Sequence, residues 1–291
     1  MPSLKTIKRR ISSVDSTQQI VNAMDMVSAS KLQKTKGQLE SARIMFDEMN
    51  RIINGVRRSI KAAGNRFITG GGPKIAIYVV ITGDRGLCGG YNQNISNAAL
   101  AFMEEREADG LPEGQIVTVG QQGYDFFLSR GKEVMQSFTD ISENAFYEDA
   151  AKIGELVVSL YVSGEAGEAY VAYTFFESAL SHVPRVERLL PIGADEKSKL
   201  WYETVMYEPN ADAFAEAAVP FYIDSYIYAA MVEAAACEHM ARMTSMHSAS
   251  DNAREILEDL TSAYNSKRQG IVTQEISEIA GGAKALRKNR S

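Results

Sequence analysis

The residues able to do chemistry in this chain concentrate in one short stretch, ITGDRGLCGGYN, residues 81–92. An apolar run from Ile75 to Ile81 leads into Gly83, Gly86, Gly89 and Gly90, and Asn92 is placed to cap a helix that follows. A glycine-rich turn from strand to helix can offer backbone N–H groups to a phosphate. This one lacks the Lys-Ser/Thr ending of a P-loop and the G-x-G-x-x-G spacing of a dinucleotide site, so the phosphate signal is weak. The competing reading is a tight turn that needs glycine backbone, from which Asp84 and Arg85 project toward a partner.

Elsewhere the chemistry is sparse. His182, His239 and His247 have no acid or cysteine at motif spacing, which makes each a structural or surface histidine. Glu233 and Glu238 sit in an alanine-rich segment and read as solvated helix charges. Cys88 and Cys237 are far apart in sequence, so neither a disulfide framework nor a zinc site is indicated, and each is expected to be a buried thiol. With no nucleophile constellation, no catalytic residue, cofactor site or metal site is expected.

The elements around the loop are more informative. From Leu4, alternating steps of three and four give Leu4, Ile7, Ile11, Val14, Gln18, Val21, Asp25, Ser28, Leu32, Thr35, Leu39, Ala42, Phe46, Met49, Ile53, Val56 and Ile60. Thirteen of these seventeen positions are apolar, the signature of a coiled-coil seam. At 1.5 Å per residue the helix would run about 90 Å. The polar seam positions cluster at Gln18, Asp25, Ser28 and Thr35. There Ile20, Ala23, Met24, Val27 and Ala29 spread apolar surface around the helix, so it either faces a second neighbour or carries a polar seam that fixes register.

A second helix of roughly 100 Å is expected after Pro220. Its stripe runs through Ala253, Leu257, Leu260 and Tyr264, breaks at Asn265–Gly270, and resumes one position out of frame at Val272, Ile276, Ile279, Ala283 and Leu286. Paired antiparallel, the first helix ends near position 270 of the second. The remaining tip then lacks an intramolecular partner and requires housing in another protein.

Between the helices, strand-like runs (Lys74–Thr82, Gln115–Val119, Glu133–Phe138, Ala169–Phe176, Arg185–Ile192) alternate with helix-like ones (Gln93–Glu107, Gln122–Ser129, Phe146–Val162). That alternation predicts a parallel, Rossmann-like sheet. The fold class is therefore α/β with long helical extensions: a coiled-coil helix over 1–60, an α/β domain with linkers over 61–210, and a second coiled-coil helix over 211–291. Linkers are expected at Gly64–Pro73 and Gly193–Asn210, the latter holding Trp201.

The 291 residues carry a net charge of −6, unevenly placed. Seven Lys/Arg stand against Asp15 and Asp25 before position 37, and Lys284, Arg287, Lys288 and Arg290 make the end basic. Such ends are solvated faces or surfaces for an acidic partner. Nucleic acid is disfavoured because aromatics are not interleaved with the cations. The absence of an apolar run of roughly 20 residues, or of a signal-peptide core, leads to the expectation of a soluble, cytosolic chain without membrane insertion.

ITGDRGLCGGYN, the early TQQIVNAMDMVSASKL (Thr17–Leu32) and the late SDNAREILEDLTSAYNSKRQGIVTQEISEIAGGAKAL (Ser250–Leu286) together resemble the gamma subunits of bacterial F-type ATP synthases, in the family's order and over essentially the whole chain. The resemblance implies a non-catalytic central rotor shaft. Its coiled coil enters a head of alpha and beta subunits, and its α/β foot sits beside epsilon and the c-ring on the cytoplasmic face of the bacterial inner membrane. It further implies beta-subunit contacts at Met24, at Asp84, Arg85 and Cys88, and at Arg268, Gln269 and Thr273. Tyr207 and Glu208 match the foot segment facing the c-ring and epsilon. Asp25 departs from the family's basic or Glu residue between the two methionines. A coiled-coil scaffold and a nucleotide-using enzyme are the rival readings.

Overall fold

In the computed structural model the described residues are 3–60, 65–70, 75–178, 181–192, 207–208 and 210–288, with side chains excepted at 57–60, 69 and 281–288. Trp201, and the side chains of Ile60, Ala283, Leu286 and the basic C-terminal end, lie outside them. The order is α1 (Leu4–Ile60), α2 (Arg66–Thr69), β1 (Ala76–Ile81), α3 (Tyr91–Ala108), β2 (Gln115–Val119), α4 (Gln121–Ser129), β3 (Val134–Phe138), α5 (Tyr147–Ser163), β4 (Glu168–Phe176), β5 (His182–Leu190) and α6 (Ala211–Lys288). The short α2 interrupts the expected plain linker; Asn65 caps it by accepting from the Phe67 N–H.

The sheet has the order β3-β2-β1-β4-β5. Every residue of β1 is buried, as a central parallel strand covered on both faces must be. Its residues alternate between two cores. Tyr78 and Val80 pack with Ile95, Ala99, Met103 and Phe127 from α3 and α4. Ile77, Val79 and Ile81 pack with Ile153 and Val157 of α5 and with Ile223 and Ile227 of α6.

The expected parallel, Rossmann-like sheet is present in β1–β4; the one departure is β5, which runs antiparallel to β4. Only Glu177–Ser181 connect the two strands, too short for the crossover that a parallel neighbour requires. As an edge strand β5 carries Pro184, Arg185, Glu187 and Arg188, residues that discourage pairing with another chain.

Contacts divide the chain into two units, Ser28–Arg242 and Met1–Val27 with Met243–Ser291. In the first, α1 and α6 run antiparallel: Arg43 meets Glu233, Phe46 meets Tyr226 and Tyr222, and Val56 meets Ala215. In the second they do the same, with Asn22 against Ser250 and Asp25 against His247. Every described seam position from Leu4 to Val56 is buried or half-buried. The 3.5-residue frame therefore identifies the buried face of α1, polar positions included.

Candidate functional site

The glycine loop, residues 82–90, leaves the C-terminal end of β1. Here the strand order reverses, since β1 lies between β2 and β4. In open α/β sheets that reversal opens a crevice where ligands bind. In this chain α6 enters it. A Cβ added to Gly83 would lie 2.7 Å from Glu238 Cδ, so only glycine lets the loop backbone approach this carboxylate.

Asp84 faces inward. Its Oδ1 accepts from the N–H groups of Gln121 (3.1 Å) and Asp140 (3.0 Å), and its Oδ2 from the N–H (3.1 Å) and Oγ (2.8 Å) of Ser142. Its own N–H donates to Ser142 Oγ at 2.9 Å. One carboxylate thus ties the β1–α3 loop to the start of α4 and to the β3–α5 loop.

Asn92 does not cap α3, contrary to the sequence expectation. The helix starts at Tyr91, two residues before the expected Gln93, with Gly90 at the N-cap position and no side-chain cap. Asn92 instead turns back, accepting from the Gly83 N–H at 2.8 Å and donating to the Arg85 carbonyl at 3.2 Å. These bonds commit the Gly83 and Asp84 amides within the chain, and the nearby carboxylates would repel a phosphate.

Glu233 and Glu238 also depart from expectation: both are buried, not solvated. Glu238 accepts from Arg242 one turn later at 2.5 Å, the i,i+4 spacing that sets two side chains side by side. Arg242 in turn donates to the carbonyls of Gly86 (3.3 Å) and Arg85 (3.3 Å). Burial pushes the Glu238 carboxyl up, against the opposing pull of Arg242. Its Oε2, the Tyr91 hydroxyl and His239 Nδ1 are buried without a hydrogen-bond partner.

A second ionic group adjoins the first. Glu143 pairs with Lys31 of α1 and lies 3.7 Å from Arg85 Nε. Burial would raise its carboxyl, but Lys31, Arg85 and Arg242 together outweigh burial and hold it below the usual range. The Glu143 carbonyl sits 3.2 Å from His239 Nε2. Burial holds His239 below the usual imidazole value, as a neutral core histidine. The two helices and two loops of the α/β unit are thereby joined through charged and hydrogen-bonded side chains.

The expected partner-facing residues take several positions. Arg85 points outward, its side chain 77% exposed. Cys88 is buried, in a cluster with Tyr91 and Cys237, and burial pushes its thiol up. Both cysteines are free and buried, as expected. Tyr207 is half-buried, its ring 5.1 Å from that of Phe214, while Glu208 is exposed. Met24 is half-buried, and beside it on α1 Ile20 and Val27 are 62% and 55% exposed.

Arg268, Gln269 and Thr273 are exposed on α6. The stripe Ala253, Leu257, Leu260 and Tyr264 is buried or half-buried, whereas everything from Arg268 to Ala280 is exposed. Ile276 and Ile279, in the out-of-frame stripe, reach 61% and 73%. Sequence reasoning misses Glu143 and Arg242 and takes Glu238 as solvated; only the i,i+4 spacing of Glu238 and Arg242 could have signalled their pairing.

Among the described residues no helix is long and apolar enough to cross a membrane. Comparison with known proteins gives a consistent picture. The family model described as ATP synthase matches residues 3–286. An ATP synthase gamma chain of Alkaliphilus metalliredigens is 40% identical over 98% of this chain and 99% of its own. One from Moorella thermoacetica is 38% identical over 99% and 100%. A chain from the Euglena gracilis mitochondrial ATP synthase shares the fold with a TM-score of 0.68 at 17% identity, covering 99% of this chain and 96% of that one. A chain from the Tetrahymena thermophila mitochondrial ATP synthase central stalk and c-ring gives 0.58 at 23% identity, over 79% and 99%. With a glycine loop closed by its own helix, a buried coiled-coil seam and near-complete matches at this identity, the chain belongs to the ATP synthase family, among its gamma chains.

Proposed function

We propose that this chain is the non-catalytic central rotor shaft of a bacterial F-type ATP synthase, turning within a head of alpha and beta subunits and coupling the c-ring to the beta-subunit sites. The observation that carries this reading is the bare apolar end of α6: Val272, Ile276 and Ile279 are exposed where α1 no longer runs alongside. Full burial of such a side chain is worth about 1.5–3 kcal/mol; scaled to their exposed fractions, covering the three is worth about 3–5 kcal/mol in all, a sizeable part of a domain's stability. A collar of other subunits supplies that cover.

A shaft must hold its sleeve weakly enough to turn. Charge-assisted hydrogen bonds of about 1.5–3 kcal/mol each mark a stopping angle without locking it. Arg268, Gln269 and Thr273 are placed to make such bonds to a beta loop. Met24, flanked by exposed Ile20 and Val27, and the outward cation of Arg85 meet the acidic beta lever. Asp84 and Cys88 serve the same contact from behind, by holding the loop that carries Arg85. Tyr207 and Glu208 lie at the foot toward the c-ring and epsilon, and the complex sits on the cytoplasmic face of the bacterial inner membrane.

Arg268→Ala and Gln269→Ala test this reading in the assembled complex. Coupled synthesis or assembly should fall, while the unfolding midpoint of the isolated chain stays in place because both side chains are exposed. Full coupled activity in both variants would remove these residues from the mechanism.

A further inference from the structure

In the α/β unit, one buried carboxylate bridges three elements. Glu233 of α6 accepts from Arg43 Nε of α1 at 2.9 Å and from the Phe176 N–H at the end of β4 at 3.3 Å. Arg43 Nη2 closes the triangle by donating to the Phe176 carbonyl at 2.9 Å. The Glu233 side chain is only 7% exposed. Burial pushes its carboxyl up, against the pull of Arg43.

A buried ion pair is weak evidence of stabilisation, because desolvation offsets most of its attraction. Its distinctive property is direction. Apolar contacts between helix and sheet oppose separation but are non-directional, so they resist a small twist of one element against another poorly. Charge-assisted bonds to a strand's backbone resist it well. Beside this triangle a half-open pocket of about 240 Å³ lies among Arg43, Tyr173, Phe175, Glu187, Tyr226 and Glu233. There α6 reaches the edge strand through the Tyr226 hydroxyl, which donates to Glu187, and Arg185 lies over the Phe175 ring at 3.5 Å.

We propose that the Arg43–Glu233–Phe176 triangle is the torsional key of the rotor, the joint that fixes both long helices to the sheet so that twist entering the α/β unit passes into them. Glu233 and Arg43 are positioning residues: they touch no substrate and act through the register they impose. The proposal rests on the rotor reading.

The test uses the assembled complex with its catalytic head immobilised and stalled, and a bead attached through Gln93→Cys on the exposed side of α3. The natural cysteines are buried and stay unlabelled. The variance of the bead's angle reports torsional compliance. In the double variant Arg43→Met/Glu233→Met, apolar side chains replace the pair, and the Phe176 N–H and carbonyl lose these side-chain partners. The variance should at least double in complexes that assemble. An unchanged variance overturns the proposal. Should the double variant fail to assemble, Arg43→Lys decides: a single ammonium cannot reproduce the guanidinium's paired contacts to Glu233 and Phe176, so increased variance supports the proposal and unchanged variance overturns it. An unaltered chain that assembles with no head subunits would sink the rotor reading instead.

Discussion

Ser250 Oγ of α6 donates to Asn22 Oδ1 of α1 across 2.6 Å, and one turn along the same face His247 Nδ1 lies 3.5 Å from Asp25 Oδ2. Three residues forward on α1 correspond to three backward on α6, so the pairing is antiparallel with equal rise. Continued to the start of α1, this register sets Leu4 opposite Arg268. It accounts for the exposure of every described side chain from Arg268 to Ala280: α1 has ended.

Ile276→Asp should leave the isolated chain's urea midpoint almost unmoved, within about 0.5 kcal/mol, since the side chain is exposed there. On the proposed rotor reading it would place a carboxylate where other subunits cover apolar side chains. Co-purification of head subunits should therefore fall sharply. A large loss of stability in the isolated chain would show that the residue is already covered.

Gly83→Ala should destabilise the α/β unit by about 1–3 kcal/mol, the usual range for forcing atoms into filled space. The new methyl would sit 2.7 Å from Glu238 Cδ, and Arg242 holds that carboxylate in place. Urea unfolding measures the effect; an unshifted midpoint would mean that the loop and α6 are not in contact.

Asp224 gives a pH dependence with a definite sign. Its Oδ1 lies 1.9 Å from where a Cβ on Gly154 would be, and burial, then the Glu155 carboxylate, raises its pKa to about 6. A carboxyl whose folded pKa exceeds its unfolded value binds its proton more tightly when folded, so stability falls as pH rises from about 4 to 6 and stays reduced above. Asp224→Asn should raise the midpoint at pH 7.5, with the gain shrinking toward pH 4. A gain independent of pH would contradict this account.

Arg85→Ala should lower coupled turnover of the complex while leaving the fold intact. The side chain is mostly exposed, and its contact with the largely buried Glu143 is long, 3.7 Å, so its loss should cost about 1 kcal/mol or less. Pumping per ATP hydrolysed reads the coupling and urea unfolding of the isolated chain reads the fold; a lowered midpoint with unchanged pumping per ATP would assign Arg85 to structure.

Much of this was legible in the residues. The heptad frame on α1 marks buried positions down to Ser28 and Thr35, because a coiled coil imposes its 3.5-residue period on polar and apolar side chains alike. The end of helix pairing near position 270 followed from counting residues along two paired rods. Polar groups whose partners are distant in sequence were not legible. Glu233 looks solvated until Arg43 is brought beside it, and Asn92 looks like a cap until the turn folds Gly83 back onto it; Glu238 has Arg242 one turn away, but its burial depends on the Gly83 loop closing over it. The direction of β5 depended on the length of one connection, which strand propensity does not encode.

The most direct test of the central claim uses Ile279→Cys, with Cys88 and Cys237 buried and slow to react. Maleimide modification at position 279 should be rapid in the isolated chain and at least about tenfold slower once the chain is assembled with the head, since exclusion of water and reagent accompanies burial. Equal rates in the two states would contradict the sheltered-axle account.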